Sequence, residues 1–205
     1  MSLIRQLLLS LVLLLLGLSN RHAEGNKSEV SLDAKVPNFT LKDYTGKEYS
    51  LYKSLNPESL GVNHKGAVVM FISTQCPVSN SYNERIADLY KTYSRKGIAF
   101  LAINANSGES IEEIASHSRR HGFEFPVLKD WKNVIADKFG ALVTPETYFI
   151  DSTGVLRYHG RIDDSPRVAK VKEQDLQNVL DAYLAGKPLP KKEARAMGCT
   201  IKREE

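Results

Sequence analysis

The chain has 205 residues, of which 42% are hydrophobic and 25% charged, so its size and composition are those of one globular domain and exclude a largely disordered or collagen-like chain. The formal net charge is +4, and Arg5 and Arg21 supply two of these charges, so the rest of the chain lacks the basic excess of a nucleic-acid-binding protein. Two cysteines, Cys76 and Cys199, are too few for a disulfide-built scaffold or a four-sulfur zinc site.

The N-terminus carries an uncharged apolar run at residues 7–18, behind a positive charge. Because a membrane span takes about 20 apolar residues, this shorter run predicts a secretory signal peptide, residues 1–19, cleaved after Ser19 or, with a poorer match, after Ala23. An uncleaved segment that anchors the protein in the membrane is the alternative. In both cases we expect residues 20–205 to work in the periplasm or the extracellular space, where disulfides persist.

Regular structure begins at Val36, after a polar stretch at residues 20–35 that we interpret as a linker. Two short strand-like pieces flank residues 44–47 and predict a β-hairpin. The uninterrupted apolar run at residues 67–72 predicts a strand that is buried on both faces of a sheet.

A helix is predicted directly after this strand, because apolar residues recur at spacings of three and four over residues 77–96, with Gly97 as its C-terminal cap. Residues 98–103 predict a second buried strand. Ser110 and Glu113 form the pattern of a capping box, which opens the next helix.

The last third of the chain continues the alternation of strands and helices. The predicted elements are a strand at 126–128, a helix at 130–139, an antiparallel hairpin at 147–151 and 155–159, and a helix at 176–184. This order predicts an α/β domain, residues 36–186, with a mixed central sheet flanked by helices. Residues 187–205 form a basic C-terminal tail that carries Cys199, and we expect this tail to be solvated.

Cys76 is the leading candidate for chemistry because it stands where the buried strand passes into the following helix. A sulfur at a helix N-terminus faces unpaired backbone N–H groups and the positive end of the helix dipole, and both stabilise a thiolate. Pro77 suits the first helical position. The alternative is an inert buried thiol, but the end of a strand favours a reactive one.

Thr144-Pro145 is the second unusual feature, because a proline directly before an interior strand requires a specific turn. A cis Thr144–Pro145 bond would make such a turn. The general statistics of X–Pro bonds alone favour the trans form.

Several segments together resemble the redoxin domain of the alkyl hydroperoxide reductase/thiol-specific antioxidant (AhpC/TSA) family, within the thioredoxin superfamily. They span about residues 36–202 and comprise the opening at 36–51, the turn at 71–79, the segment at 144–151, and residues 160–164 and 198–202, which resemble a bacterial peroxiredoxin-like branch. The resemblance implies a thioredoxin-like fold with an N-terminal β-hairpin extension and a cis bond before Pro145.

The resemblance also implies an oxidoreductase in which Cys76 matches the attacking cysteine of the thioredoxin CxxC motif. Ser79 stands where that motif has its second cysteine, and a hydroxyl cannot resolve a mixed disulfide. Either the protein works as a monothiol or another thiol serves, and Cys199 is the candidate resolving cysteine. The backbone of Thr144 and Pro145 would bind the substrate chain as an added strand.

Three functions remain open from the sequence. The leading one is an exported thiol–disulfide oxidoreductase, in which Cys76 forms a mixed disulfide with a protein or small-molecule disulfide and a thiol donates electrons. The second is a thiol peroxidase with antioxidant activity, in which Ser73 would supply a peroxide-binding hydroxyl. The third is a redox-inert binding module that uses the same groove.

No cofactor and no metal ion is expected. His117 and His121 are four residues apart on one predicted helix, but without further ligands nearby this spacing indicates a solvated helical face. We expect no nucleic-acid partner, and membrane contact only through an uncleaved N-terminal segment. The oligomeric state is left open.

Overall fold

The computed structural model of the protein describes residues 30–56 and 64–204. The predicted signal peptide, residues 1–19, and most of the predicted linker lie outside the described residues. Within them, no helix is both long and apolar enough to cross a bilayer.

A seven-stranded mixed sheet forms the centre of the domain, in the order β2-β1-β5-β4-β3-β7-β8, and a separate two-stranded sheet pairs β6 with β9. The strands are β1 (Thr40–Asp43), β2 (Glu48–Ser50), β3 (Gly66–Phe71), β4 (Ile98–Asn104), β5 (Val127–Lys129), β6 (Val143–Thr144), β7 (Glu146–Asp151), β8 (Leu156–Gly160) and β9 (Cys199–Thr200). The α/β class, the mixed sheet and the N-terminal hairpin of β1 and β2 are therefore confirmed.

Within residues 30–56 and 64–204, six α-helices accompany the sheet. They are α1 (Leu51–Leu55), α2 (Pro77–Asn80), α3 (Asn83–Ser94), α4 (Ile111–Arg120), α5 (Val134–Phe139) and α6 (Asp175–Leu184), with 3₁₀ turns at Trp131–Asn133 and Val168–Lys170. Helix α4 opens with the predicted capping box of Ser110 and Glu113.

Strand β3 lies in the middle of the sheet, parallel to β4 and antiparallel to β7. Its side chains alternate between two apolar clusters, so that Val68 and Met70 face helices α3, α4 and α6, whereas Val69 and Phe71 face helices α1 and α5. Each face buries its own cluster of side chains. The prediction of a strand covered on both faces is confirmed.

The single helix predicted over residues 77–96 is wrong, because the structure divides it into α2 and α3 at Ser81 and Tyr82. Asn80 donates from its side chain to the Thr74 carbonyl, and the Ser81 hydroxyl donates to the Val78 carbonyl. Short polar side chains of this kind compete with the helical hydrogen bonds of the backbone. The periodicity of apolar residues continues across the break and therefore does not reveal it.

The helix predicted at residues 130–139 begins later, at Val134. Lys132 and Asn133 have left-handed backbone angles, which interrupt a regular helix. Asp130 nevertheless caps α5, since its carboxylate accepts hydrogen bonds from the backbone N–H groups of Ile135 and Ala136.

The C-terminal tail is folded against the domain through its backbone and Ile201, so the prediction that it is solvated holds only for its exposed side chains. Lys192 and Ala194 exchange backbone hydrogen bonds with His159 of β8. Further on, β9 pairs with β6, and the side chain of Ile201 is buried in the core cluster beside α5. The tail therefore returns Cys199 to the sheet.

Candidate active site

Cys76 lies at the point where the segment after β3 enters α2. It is the N-cap residue of α2 in extended backbone conformation, and its sulfur accepts a hydrogen bond from the backbone N–H of Ser79 at 3.3 Å. Pro77 occupies the first turn, where its missing N–H costs no hydrogen bond. The N–H of Ser79 points at the atom that would carry the negative charge of a thiolate.

Ser79 is fully buried under this turn. Its backbone faces the sulfur, whereas its side-chain oxygen accepts a hydrogen bond from the backbone N–H of Ser73 at 3.1 Å. The hydroxyl at the position of the second CxxC cysteine thus closes the active-site turn.

The cis Thr144–Pro145 bond expected from the resemblance is present. It places the carbonyl oxygen of Thr144 3.4 Å from the Cys76 sulfur. Thr144 is buried, and its side-chain Oγ1 has no hydrogen-bond partner among the described residues.

Cys199 forms a disulfide with Cys76, across 123 residues of sequence. The two Cα atoms are 5.8 Å apart, a normal separation for a disulfide. The sequence left open whether the tail returns to Cys76, and the structure shows that it does.

Antiparallel pairing with β6 holds Cys199 in place, with Thr144 opposite Cys199 and Val143 opposite Thr200. Gly198 makes this approach possible, because any side-chain carbon at this position would overlap the carbonyl group of Thr144. The structure thus brings together Cys76, Ser79, Thr144, Pro145 and Cys199.

Glu109 is a buried carboxylate behind the active-site turn that the sequence analysis missed. It accepts hydrogen bonds from the Ser73 hydroxyl and from the backbone N–H and hydroxyl of Thr74. Asn104 and Asn106 also donate to it. One signal for it was available: Glu109 follows β4, whose carboxyl end lies beside that of the parallel strand β3.

The charge of Glu109 is stabilised by these donors. Burial alone would raise the pKa of Glu109, but the hydrogen bonds from Ser73, Thr74 and Asn104 outweigh burial and lower it below its ordinary value. The ammonium group of buried Lys129 donates to the Asn106 and Glu109 carbonyls at 2.6 and 2.9 Å, so a positive charge is buried nearby.

Ser73, the candidate peroxide-binding hydroxyl, is already fully engaged. It donates its proton to Glu109 and accepts hydrogen bonds from the backbone N–H groups of Gln75 and Cys76 at 3.2 and 2.9 Å. It is also 98% buried. In this arrangement Ser73 fixes the backbone of Cys76 and has no free proton to offer a peroxide.

Glu146, the residue after Pro145, binds the backbone of the residues that precede the cis bond. Its carboxylate accepts hydrogen bonds from the backbone N–H groups of Leu142 and Val143 at 2.8 and 3.2 Å and pairs with the imidazole of His159. Burial would raise the pKa of Glu146, but these partners lower it. Sequence spacing gave no signal for this pair, because it forms across β7 and β8.

The prediction that His117 lies on a solvated face is wrong. His117 is buried, and its Nε2 atom lies 2.9 Å from Asn80 Oδ1 and 3.1 Å from Asn83 Nδ2. Burial lowers its pKa to about 4, and the neighbouring His121 adds to this shift. Within the described residues, no three His, Cys, Asp or Glu side chains are grouped so as to hold a metal ion.

The chain is similar to known proteins in sequence and in structure. The AhpC/TSA family model matches residues 32–159. The thiol-disulfide oxidoreductase ResA of Geobacillus thermodenitrificans is 27% identical over 131 residues, which are 64% of this chain and 70% of that protein.

Solved structures share the fold. A hypothetical protein from Sinorhizobium meliloti superposes with a TM-score of 0.76 at 30% identity, over 85% of this chain and 96% of the other. A candidate thioredoxin from Neisseria meningitidis gives a TM-score of 0.52 at 25% identity, over 62% of this chain and 79% of the other. The fold is thioredoxin-like.

Proposed function

This chain is an oxidoreductase that belongs to the AhpC/TSA family, and from that membership we propose that it is an exported thiol–disulfide oxidoreductase with Cys76 as its nucleophile and Cys199 as its resolving cysteine. One observation carries the proposal: the Cys76–Cys199 disulfide lies against the cis-proline turn, where a substrate chain would bind. The alternative thiol peroxidase has less support, because the Ser73 hydroxyl is bound to Glu109.

The first step uses the reduced form of the protein. The Cys76 thiolate attacks one sulfur of a protein disulfide, the substrate S–S bond breaks, and the other substrate sulfur leaves as a thiolate that takes up a proton. Cys76 is then joined to the substrate by a mixed disulfide. The N–H of Ser79 stabilises the attacking thiolate before this step.

The second step releases the product. The Cys199 thiolate attacks the Cys76 sulfur, the mixed disulfide breaks, and the second substrate sulfur leaves as a thiol. The substrate has then gained two electrons and two protons, and the protein is left with the Cys76–Cys199 disulfide. A thiol electron donor reduces this disulfide for the next cycle.

Export is part of the proposal. The apolar run at residues 7–18 supports a signal peptide, and an intramolecular disulfide persists most easily outside the reducing cytosol. The domain organisation we propose is the signal peptide, a linker, the redoxin domain to residue 186, and a C-terminal segment that carries Cys199. The linker ends before Asp33, because Asp33 and Ala34 exchange backbone hydrogen bonds with Leu156.

Reduction of a protein disulfide under dithiothreitol tests this function, with insulin precipitation as the readout. We expect the wild-type chain to accelerate insulin reduction and Cys76→Ser to lose the acceleration. Cys199→Ser that has been reduced and then freed of dithiothreitol should accumulate a mixed disulfide with insulin. Hydrogen peroxide consumption with the same reductant is the parallel assay. Cys76-dependent peroxide turnover without insulin reduction would replace the proposal with the peroxidase, and undiminished insulin reduction by Cys76→Ser would exclude both.

A further inference from the structure

The strand edge beside the active-site sulfur is occupied by the chain itself. In the proposed function, the backbone of Thr144 pairs with a substrate strand, as in other cases of strand addition. In the structure, the partner of Thr144 is Cys199, and the partner of Val143 is Thr200. The C-terminal segment therefore lies where a substrate strand would lie, with its cysteine bonded to Cys76.

Two glycines fit this segment to the domain. A side-chain carbon on Gly198 would overlap the carbonyl group of Thr144, and one on Gly160 would overlap the backbone of Ala194. Gly198 does not have left-handed backbone angles, so glycine is required there for space. When a strand pairs with β6 so that its cysteine reaches Cys76, the residue before that cysteine has no room for a side chain.

Anchors on both sides hold the segment. Upstream, Ala194 donates from its backbone N–H to the His159 carbonyl at 3.1 Å. Downstream, the backbone N–H of Lys202 donates to Asn106 Oδ1 at 2.7 Å, and that of Glu204 to Asn133 Oδ1 at 3.0 Å.

We call residues 195–200, between these anchors, the strap. The two-residue pairing of β9 with β6 and the disulfide hold the strap against the active site. Reduction removes the covalent bond and leaves the short ladder, while the anchors keep Cys199 close.

With the strap in place, one polar group at the edge of β6 lacks a hydrogen bond. Thr144, which pairs with Cys199 of the strap, has a buried Oγ1 that finds no hydrogen-bond partner among the described residues. A buried hydroxyl without a partner is unfavourable. This cost favours exchange of the strap for another strand, or for water, once the disulfide is reduced.

Resting on the proposed function, we propose that the strap is an intramolecular competitor for the substrate and that its register defines the substrate class. The favoured substrate is an extended polypeptide segment in which glycine precedes the cysteine that Cys76 attacks, and segments with a larger residue there react more slowly. A thiol donor first breaks the Cys76–Cys199 bond with two electrons and two protons, and the strap then leaves β6. The substrate strand binds in its place, and the returning strap brings Cys199 to Cys76 as the product strand departs.

Two peptides test the register on full-length Cys199→Ser. The peptides Ala-Met-Gly-Cys-Thr-Ile and Ala-Met-Val-Cys-Thr-Ile each carry 5-thio-2-nitrobenzoate in a disulfide with their cysteine, so attack by Cys76 releases a coloured thiolate. Each rate is divided by the rate of the same peptide with 2-mercaptoethanol, which removes intrinsic differences in reactivity. We expect the glycine peptide to react about tenfold faster than the valine peptide, a difference of about 1.4 kcal/mol, because overlap at a packed contact is unfavourable.

A strap variant tests the competition. In the Cys199→Ser background, Gly198→Ala should weaken strap docking and raise the rate with the glycine peptide severalfold. Gly108→Ala is the matched control, because a side-chain carbon at exposed Gly108 meets no atom within 4 Å, and it should leave the rate unchanged.

These outcomes distinguish a failure of the strap proposal from a failure of the proposed function. Equal normalised rates for both peptides, or a Gly198→Ala rate equal to that of Gly108→Ala, would overturn the strap proposal while Cys76 remains reactive. If Cys76 of Cys199→Ser reacts with neither peptide nor with 5,5′-dithiobis(2-nitrobenzoate), the proposed function itself fails.

Discussion

At the scale of single residues, Cys76 is held by contacts to its sulfur and to its backbone. The Ser79 N–H reaches the sulfur, and the Ser73 hydroxyl accepts from the Cys76 N–H while donating to Glu109. The same carboxylate binds the side chain of Asn106, which in turn binds the tail. We infer that Glu109 is a positioning residue for the active-site turn.

Replacing Glu109 with glutamine should destabilise the protein and change the titration of Cys76. The amide group brings donors to face the donors of Ser73 and Thr74, so we expect the free energy of unfolding at pH 7 to fall by about 2–3 kcal/mol. Because the variant also removes a negative charge near the turn, the thiol pKa of Cys76 should fall. Urea unfolding and thiolate absorbance measure the two effects.

The pH dependence of this loss has a definite sign. The pKa of Glu109 is lowered in the folded state, so the carboxylate contributes stability above its unfolded pKa of about 4.3 and loses that contribution as the pH falls through the folded value. The difference between wild type and Glu109→Gln should therefore shrink below about pH 4. Exposed Glu112→Gln is the control, and an equal effect of both variants would contradict the role of Glu109.

The sequence revealed the site residues that carry local patterns. Cys76 was found from a strand–helix junction, and Pro145 from its place before a strand. Glu109 and Glu146 were missed because their function depends on partners from other strands, such as Ser73 and His159, and no short spacing encodes such contacts.

At the scale of elements, the break between α2 and α3 forms part of a buried polar contact. Asn80 and Asn83 lie on either side of the break and both approach His117 of α4. The contact ties the helix that begins at the nucleophile to α4. A neutral imidazole suits this position, because burial lowers the pKa of His117 to about 4.

His117 should therefore make stability pH-dependent. The pKa of His117 is about 4 in the folded state and about 6.5 in the unfolded state. Between pH 6.5 and pH 4 the unfolded state therefore binds a proton at His117, whereas the folded state does not. We expect this to cost about 2–3 kcal/mol of stability at pH 4. His117→Asn should show a flatter profile in urea unfolding over this range than wild type.

A neighbouring histidine provides the control for this experiment. His121 directly follows the last residue of α4 and is less buried than His117, so His121→Asn should keep most of the wild-type pH dependence. A His117→Asn profile as steep as that of wild type would contradict the assignment.

The sequence correctly predicted strands and helices where a single local pattern was clear. The apolar run of β3, the capping box of α4 and the hairpin of β7 and β8 have the expected types. The helix boundaries at Ser81 and Val134 differ from the predicted ones. The Asn80 side chain binds a backbone carbonyl at the first boundary, and left-handed residues precede the second, whereas the apolar periodicity continues across both.

At the scale of the whole molecule, the C-terminal segment returns to the domain and pairs with β6 and with His159 of β8. Its pairing with β6 spans only two residues, and its contact with Thr144 depends on a glycine. A strand of two residues is too short to show alternating apolar and polar residues in the sequence. The sequence of the tail therefore indicated only its basic and polar character. Only the tertiary fold shows that Cys199 reaches Cys76.

The central claim is that the Cys76 sulfur ionises readily at the junction of β3 and α2. Absorbance of the thiolate against pH in full-length Cys199→Ser measures this property directly, with Cys76→Ser as the reference for the other cysteine. We expect a midpoint below the value of about 8.5 for a free cysteine. A midpoint at or above that value would contradict it.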